Sequence, residues 1–181
     1  MKPPVNLVDL TFRKLEASAR PLPFICDQQV INNWFERCSQ ADHARFYARV
    51  TTVHNGSDPA VIGFYAMAIQ FEPQSWFSTY SFIRDLVFTD KKVPTIHLHW
   101  IAVESDRCGG GIGRIMLGKV IDDAFQIIDR GGAYALTLKF IDDRSKLIYA
   151  KKGFVPYGDE NSNMMYLPAQ TIIDIVTESG G

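Results

Sequence analysis

A run of strand formers, Thr95–Val103 (TIHLHWIAV), passes through ESDRCGGGIG into an apolar repeat of helical period. The glycines at 109, 110, 111 and 113 remove side-chain obstruction and let backbone amides converge. A helix beginning at about Ile112 directs its partial positive end at the same turn. Strand, glycine turn and helix N-terminus together make a nest for a phosphate or pyrophosphate. Arg114, on the first helical turn, adds a charged contact. Met116, Val120 and Ala124, with Leu117, Ile121, Phe125 and Ile128, mark the buried faces of the helix. Gly131-Gly132 closes it with a left-handed cap.

Two familiar phosphate motifs fail on these residues. A dinucleotide fingerprint, GxGxxG, would end on Arg114 if begun at Gly109, or on Met116 if begun at Gly111. The P-loop spacing GxxxxGK runs from Gly113 to Lys119, but Val120 stands where a magnesium-binding hydroxyl is needed, and Gly118 falls within the helix. Nucleotide hydrolysis is therefore excluded.

Elsewhere the chain mixes strands and helices. Leu10–Leu15 reads as a first strand, broken by Pro21 and Pro23. Asp27 reads as the N-cap of a helix to Gln40, with Val30, Ile31, Trp34, Phe35 and Cys38 on its core stripe. Residues 46–53 and 60–70 read as a hairpin joined by the turn cluster His54–Pro59. A helix around Trp76–Leu86 is expected, then a loop at 90–92. Tyr134–Phe140 reads as a strand, and Asp142-Asp143 as the cap of a short helix, Arg144–Lys152, closed by Gly153. Phe154–Pro156 and Met164–Leu167 read as the last strands. The expectation is one α/β (α+β) domain, residues 1–181.

Composition narrows the function classes. With 19 basic and 20 acidic residues the formal net charge is -1, so no overall basicity marks a nucleic-acid binder. Val61–Ile69 is the longest apolar run, against about 20 residues for a membrane span. Prolines interrupt the N-terminal MKPPVNLVDL where a signal peptide needs apolar residues, so the expected location is cytoplasmic, without membrane association. Cys26, Cys38 and Cys108 form no CxxC pair. His97 and His99 share a strand face, but no third ligand accompanies them, so no metal is expected.

The segment IAVESDRCGGGIGRIML resembles the acetyl-CoA-binding motif of the GNAT acetyltransferases: Gln or Arg, two residues, Gly, any residue, then Gly or Ala. Cys108, Gly111 and Gly113 fall on those positions. Cys108 departs from the usual polar or basic residue, and neighbouring Arg107 can partly compensate. DDRSKLIYAKKGF resembles the family's late helix, with Tyr149 four residues before Gly153-Phe154; Asp143 stands near the usual Asn. The resemblance implies a mixed central sheet split between two parallel strands, with helices on both faces. Acetyl-CoA would lie in the split, its pyrophosphate on the amides of Cys108, Gly109, Gly110, Gly111, Ile112, Gly113 and Arg114. Its pantetheine would run along Ile101, Ala102 and Val103. An amine would attack the thioester directly, with Tyr149 as general acid. Glu104, His97 and His99 are candidates for a base that the sequence does not single out.

Phe24, Cys26, Asn33, Trp34 and Phe35 further resemble the early segment of the family's toxin branch, although Gln28 and Gln29 depart from it. VPTIHLHWIAV and MMYLPAQTI are similar to that branch as well. The resemblance implies an aminoacyl-tRNA substrate, a small DNA-binding antitoxin partner and room for a homodimer. Two local basic groups bear on RNA: Lys139, Arg144, Lys146, Lys151 and Lys152, and Arg37, Arg45 and Arg49. The alternatives are a GNAT acting on a small-molecule amine or a protein amino group, and a catalytically weak acetyl-CoA-binding protein.

Overall fold

Seven strands and five α-helices are built from these runs in the computed structural model, which describes residues 5–16, 23–77, 91–159 and 161–179. The strands are β1 (Leu10–Lys14), β2 (Arg49–Asn55), β3 (Gly63–Pro73), β4 (Lys92–Val103), β5 (Ala135–Lys139), β6 (Val155–Tyr157) and β7 (Met164–Pro168). The helices are α1 (Gln29–Arg37), α2 (Ser39–Ala44), α3 (Ile112–Gly131), α4 (Asp143–Ala150) and α5 (Ala169–Ser179). The strands form one mixed sheet in the order β1-β2-β3-β4-β5-β7-β6. Two compact units divide the chain: Met1–Ala68 with His99–Val120, and Ile69–Leu98 with Ile121–Gly181.

In the first unit β1 pairs antiparallel with β2, Leu10 opposite Asn55, and β2 with β3, Val53 opposite Gly63. Its core gathers Phe24, Ile31, Phe35, Val50, Phe64 and Ala102, with Trp34 and Trp100 against it. Phe35 stacks on Phe64 at 4.3 Å while Phe24 meets the same ring edge-on at 5.0 Å. The expected helix over 27–40 is two helices. α1 begins after Gln28, not Asp27, and α2 begins at Ser39. The Ser39 hydroxyl bonds back to the Phe35 carbonyl four residues earlier, a contact that bends a helix. Val30, expected in the core, is 56% exposed, while Ile31 and Phe35 are buried. The hairpin is present, but β2 starts at Arg49. Phe46 has a φ of 61°, which takes the preceding residues out of the strand.

In the second unit β4 pairs parallel with β5, matching Ile96, His97 and Leu98 to Leu136, Thr137 and Leu138. β7 then runs antiparallel to both β5 and β6. Phe77, Tyr157 and Tyr166 form its aromatic centre: Phe77 stacks on Tyr157 at 4.9 Å and meets Tyr166 edge-on at 5.1 Å. Buried polar pairs lie within this unit: His97 Nδ1 is 2.9 Å from the Thr137 hydroxyl, and Tyr157 donates to Glu72 at 3.4 Å. Of the helix expected at 76–86, residues 74–77 form a 3-10 turn, and 78–90 lie outside the described residues. Helix α5 was not expected from the sequence; Ile172 is its fully buried anchor.

Candidate active site

The parallel ladder between β4 and β5 stops at Leu98, whereas β4 continues to Val103. β5 itself ends at Lys139, so the last residues of β4 run on past it. Beyond it Ile101 and Val103 are half-buried and Ala102 is buried. A short 3-10 turn, Ser105–Arg107, then leads into the glycines.

Gly109 and Gly111 have φ values of 86° and 87°, a region that side-chain-bearing residues rarely adopt. Gly110 between them has ordinary room for a Cβ. The turn is exposed, and Ile112, at the start of α3, is buried. Arg114 and Ile115 donate their amides to the Gly111 carbonyl at 3.1 and 3.2 Å. Among the described residues, none of the amides from Gly109 to Gly113 donates to a backbone acceptor outside a helix or strand, or to a side chain. Amides without such acceptors, in an exposed glycine turn at the start of a 20-residue helix, suit a multiply charged anion. This is the fit expected for a pyrophosphate.

Side chains around the turn divide into those held inward and those presented. Arg107 is only 9% exposed, and its Nε lies 3.6 Å from Glu104 Oε2. The exposed Cys108 thiol points back to the Glu104 carbonyl at 3.6 Å. Arg114 is exposed on the first turn of α3. Leu7, on the N-terminal 3-10 turn, borders the site: a Cβ at Gly111 would lie 3.3 Å from its Cδ1. No spacing or motif in the sequence pointed to Leu7.

Tyr149 lies on α4 in the second unit. Asp142 and Ser145 start that helix with a reciprocal capping box, which satisfies two otherwise orphaned donors. Past its end Gly153, with φ of 91°, turns the chain. Phe154 then donates its amide to the Tyr149 carbonyl at 3.2 Å and packs its ring 5.8 Å from that of Tyr149. Burial, with a smaller contribution from the Asp142 carboxylate, pushes the Tyr149 phenol up to about 12. It is fully protonated at neutral pH, the state a proton donor needs.

The candidate bases differ in setting. His97 is buried and bonded to Thr137. His99 is half-buried, and burial lowers its pKa, so its imidazole is neutral at pH 7. Glu104 faces Arg107. Among the described residues, no group of three or more His, Cys, Asp or Glu side chains is arranged to hold a metal. No helix among them is long and apolar enough to cross a membrane.

The model of the acetyltransferase (GNAT) family matches residues 11–154, and the chain belongs to that family; it is an acetyltransferase. Solved structures with the same fold include a tyrosine-to-phenylalanine mutant of KacT, at TM-score 0.83 and 19% identity over 92% of this chain and 99% of that one. AtaT complexed with acetyl-methionyl-tRNAfMet gives TM-score 0.82 and 18% identity, over 93% and 99%. AtaTR bound with AcCoA gives TM-score 0.79 and 19% identity, over 93% and 99%. No curated protein sequence matches the chain significantly.

Proposed function

We propose that this protein transfers acetyl from acetyl-CoA to the amino group of an aminoacyl-tRNA, as the toxin of a toxin–antitoxin pair. The observation that carries the acetyl-CoA half is the glycine turn, whose five amides from Gly109 to Gly113 have no such protein acceptor among the described residues. The acceptor half is supported by likeness over more than nine-tenths of the chain to KacT and AtaT, the latter captured with acetyl-methionyl-tRNAfMet. A small DNA-binding antitoxin is the proposed partner, supported by the KacTA–DNA complex among the similar folds.

When bound, acetyl-CoA supplies a thioester open to attack by a neutral amine. The amides of Gly109–Gly113 hold the pyrophosphate, with the Arg114 guanidinium beside them. The backbone of Ile101–Val103 pairs with the pantetheine arm as a partial strand. Nitrogen bonds to the carbonyl carbon as the carbon–sulfur bond breaks. The Tyr149 hydroxyl donates to the thiolate as its charge develops, and the amine gives up its proton to solvent or a base.

The test is transfer of labelled acetyl from acetyl-CoA to a pool of charged tRNAs, with free amines in parallel. Label on aminoacyl-tRNA, lost in Tyr149→Phe, is the expected result. Label on free amines alone would replace this reading with a small-molecule acetyltransferase, a reading that the net charge of -1 favours.

A further inference from the structure

The turn between α2 and β2 is built against the ordinary preferences of its residues. Phe46 is 79% exposed and Tyr47 65% exposed. Phe46 also adopts a φ of 61°. A bulky side chain holds that conformation only where its surroundings impose it. Here they do. The amides of Tyr47 and Ala48 both donate to the Asp42 carbonyl, at 3.0 and 3.2 Å, and that of Phe46 to the His43 carbonyl at 3.3 Å. Below the turn, the buried His43 accepts the Val50 amide on Nδ1 at 3.0 Å. The backbone is thus fixed while its two aromatic rings face solvent.

Their neighbours are cationic. Arg49 donates from Nη1 to the His43 carbonyl at 3.1 Å and lays its guanidinium 4.9 Å above the Phe46 ring. Arg45 is exposed beside them, and no acidic residue occurs from Arg45 to Arg49. Asp42, just before the turn, accepts from the Trp34 indole at 3.0 Å. The Tyr47 ring lies 6.0 Å from that of His99, so the turn adjoins the segment of β4 that leads to the glycine turn. Exposed aromatic faces interleaved with arginines are the composition that binds unpaired bases, by stacking and by phosphate contact.

We infer that Arg45–Arg49 is a stacking platform for unpaired bases of an RNA, with Phe46 and Tyr47 as the stacking faces and Arg45 and Arg49 as the phosphate contacts. It rests on RNA being the acceptor, and it assigns a place where the single-stranded end of that RNA is gripped.

The probe is a short fluorescein-labelled single-stranded RNA ending in CCA, titrated with the full chain and read by anisotropy. Phe46→Gly and Tyr47→Ala should each weaken binding about tenfold, and Arg45→Gln should flatten the salt dependence. Phe46→Gly places glycine at a positive φ, so its Tm should hold or rise while RNA affinity falls, a split that a merely structural role for the ring does not produce. Unchanged RNA affinity in Phe46→Gly and Tyr47→Ala overturns the platform. So does a change confined to self-association in sedimentation, which would make the turn a contact between copies. Acetyl transfer to charged tRNA, measured on the same proteins, separates the two readings. Transfer by the unaltered chain with RNA binding indifferent to these variants removes the platform alone. RNA binding that depends on them without transfer removes the proposed activity alone, and neither binding nor transfer removes both.

Discussion

The ring of Tyr149 sits 5.8 Å from that of Phe154 because one residue, Gly153, reverses the chain between them. The proposed acid and its packing partner are only five positions apart, at opposite ends of a single helix terminus. Tyr149 is therefore oriented by local structure: a capped helix start at Asp142 and a left-handed turn at Gly153.

Gly153→Ala should destabilise the protein by about 1–2 kcal/mol. Its φ of 91° disfavours a Cβ, which would also lie 3.3 Å from Leu167 Cδ1. Chemical denaturation measures this; a midpoint equal to that of the unaltered chain would show that the turn tolerates the side chain.

Tyr149→Phe should lower acetyl transfer about 100-fold or more while acetyl-CoA affinity stays within about twofold, because in the proposed reaction the hydroxyl would act on the departing sulfur and not on the pyrophosphate. With the phenol pushed up to about 12, its deprotonation contributes no falling limb to the pH–rate profile between 7 and 10. A limb near pH 9 assigned to this tyrosine would contradict its burial.

Gly110→Glu should weaken acetyl-CoA binding by at least about tenfold with little change in Tm. Its φ is not in the left-handed region and its Cβ has ordinary room, so the substitution adds a carboxylate to an anion nest without straining the turn. Calorimetric titration and thermal melts read the two quantities separately. Undiminished affinity would remove the pyrophosphate from this turn.

Acid should destabilise the fold in the range just below neutral. Burial lowers the pKa of His43, His54 and His99, helped by Arg49 and Lys14 at His43 and by Arg13 at His54. The native state then binds fewer protons than the unfolded chain. The stabilisation is full above the ordinary imidazole value of about 6.5 and is lost as pH falls through the native values. Glu72, whose carboxyl burial pushes up, acts in the opposite sense, but one group opposes three. Tm should be level from pH 8 to 7 and decline toward pH 5.5, less steeply in His43→Gln. A Tm that rises over that interval would contradict the assignment.

The second half of the chain was the more legible. Gly131-Gly132 marked the end of α3, where Gly132 indeed turns left-handed at φ 75°; Met116, Leu117, Val120, Ile121 and Ala124 are buried as their spacing required, while Phe125 and Ile128 on the same faces are half-buried. The strand-to-glycine junction was legible for the same reason: periodicity and glycine conformation are local properties. The misses have other physics. Val30 fits the helical stripe of α1, but a stripe says nothing of where the neighbouring strands end, and Val30 is left outside. Phe46 and Tyr47 alternate like strand residues, yet the hydrogen bonds to Asp42 hold them in a turn. Leu7 meets Gly111 across more than a hundred residues of sequence, a contact with no local signature. Helix α5 was there to be read, since Ile172, Ile173, Ile175 and Val176 follow helical spacing.

Among the described residues, the order of the sheet leaves β1 and β6 as its outermost strands. Open strand edges are templates for aggregation unless something blunts them. β6 is three residues long and carries Pro156 at its middle, which has no amide hydrogen to offer. β1 ends in Arg13 and Lys14, both exposed, so a second strand approaching that edge would have to accommodate two positive charges. Proline guards one margin and charge the other, which gives this chain, rich in strand-forming residues, a built-in resistance to polymerising through its own sheet.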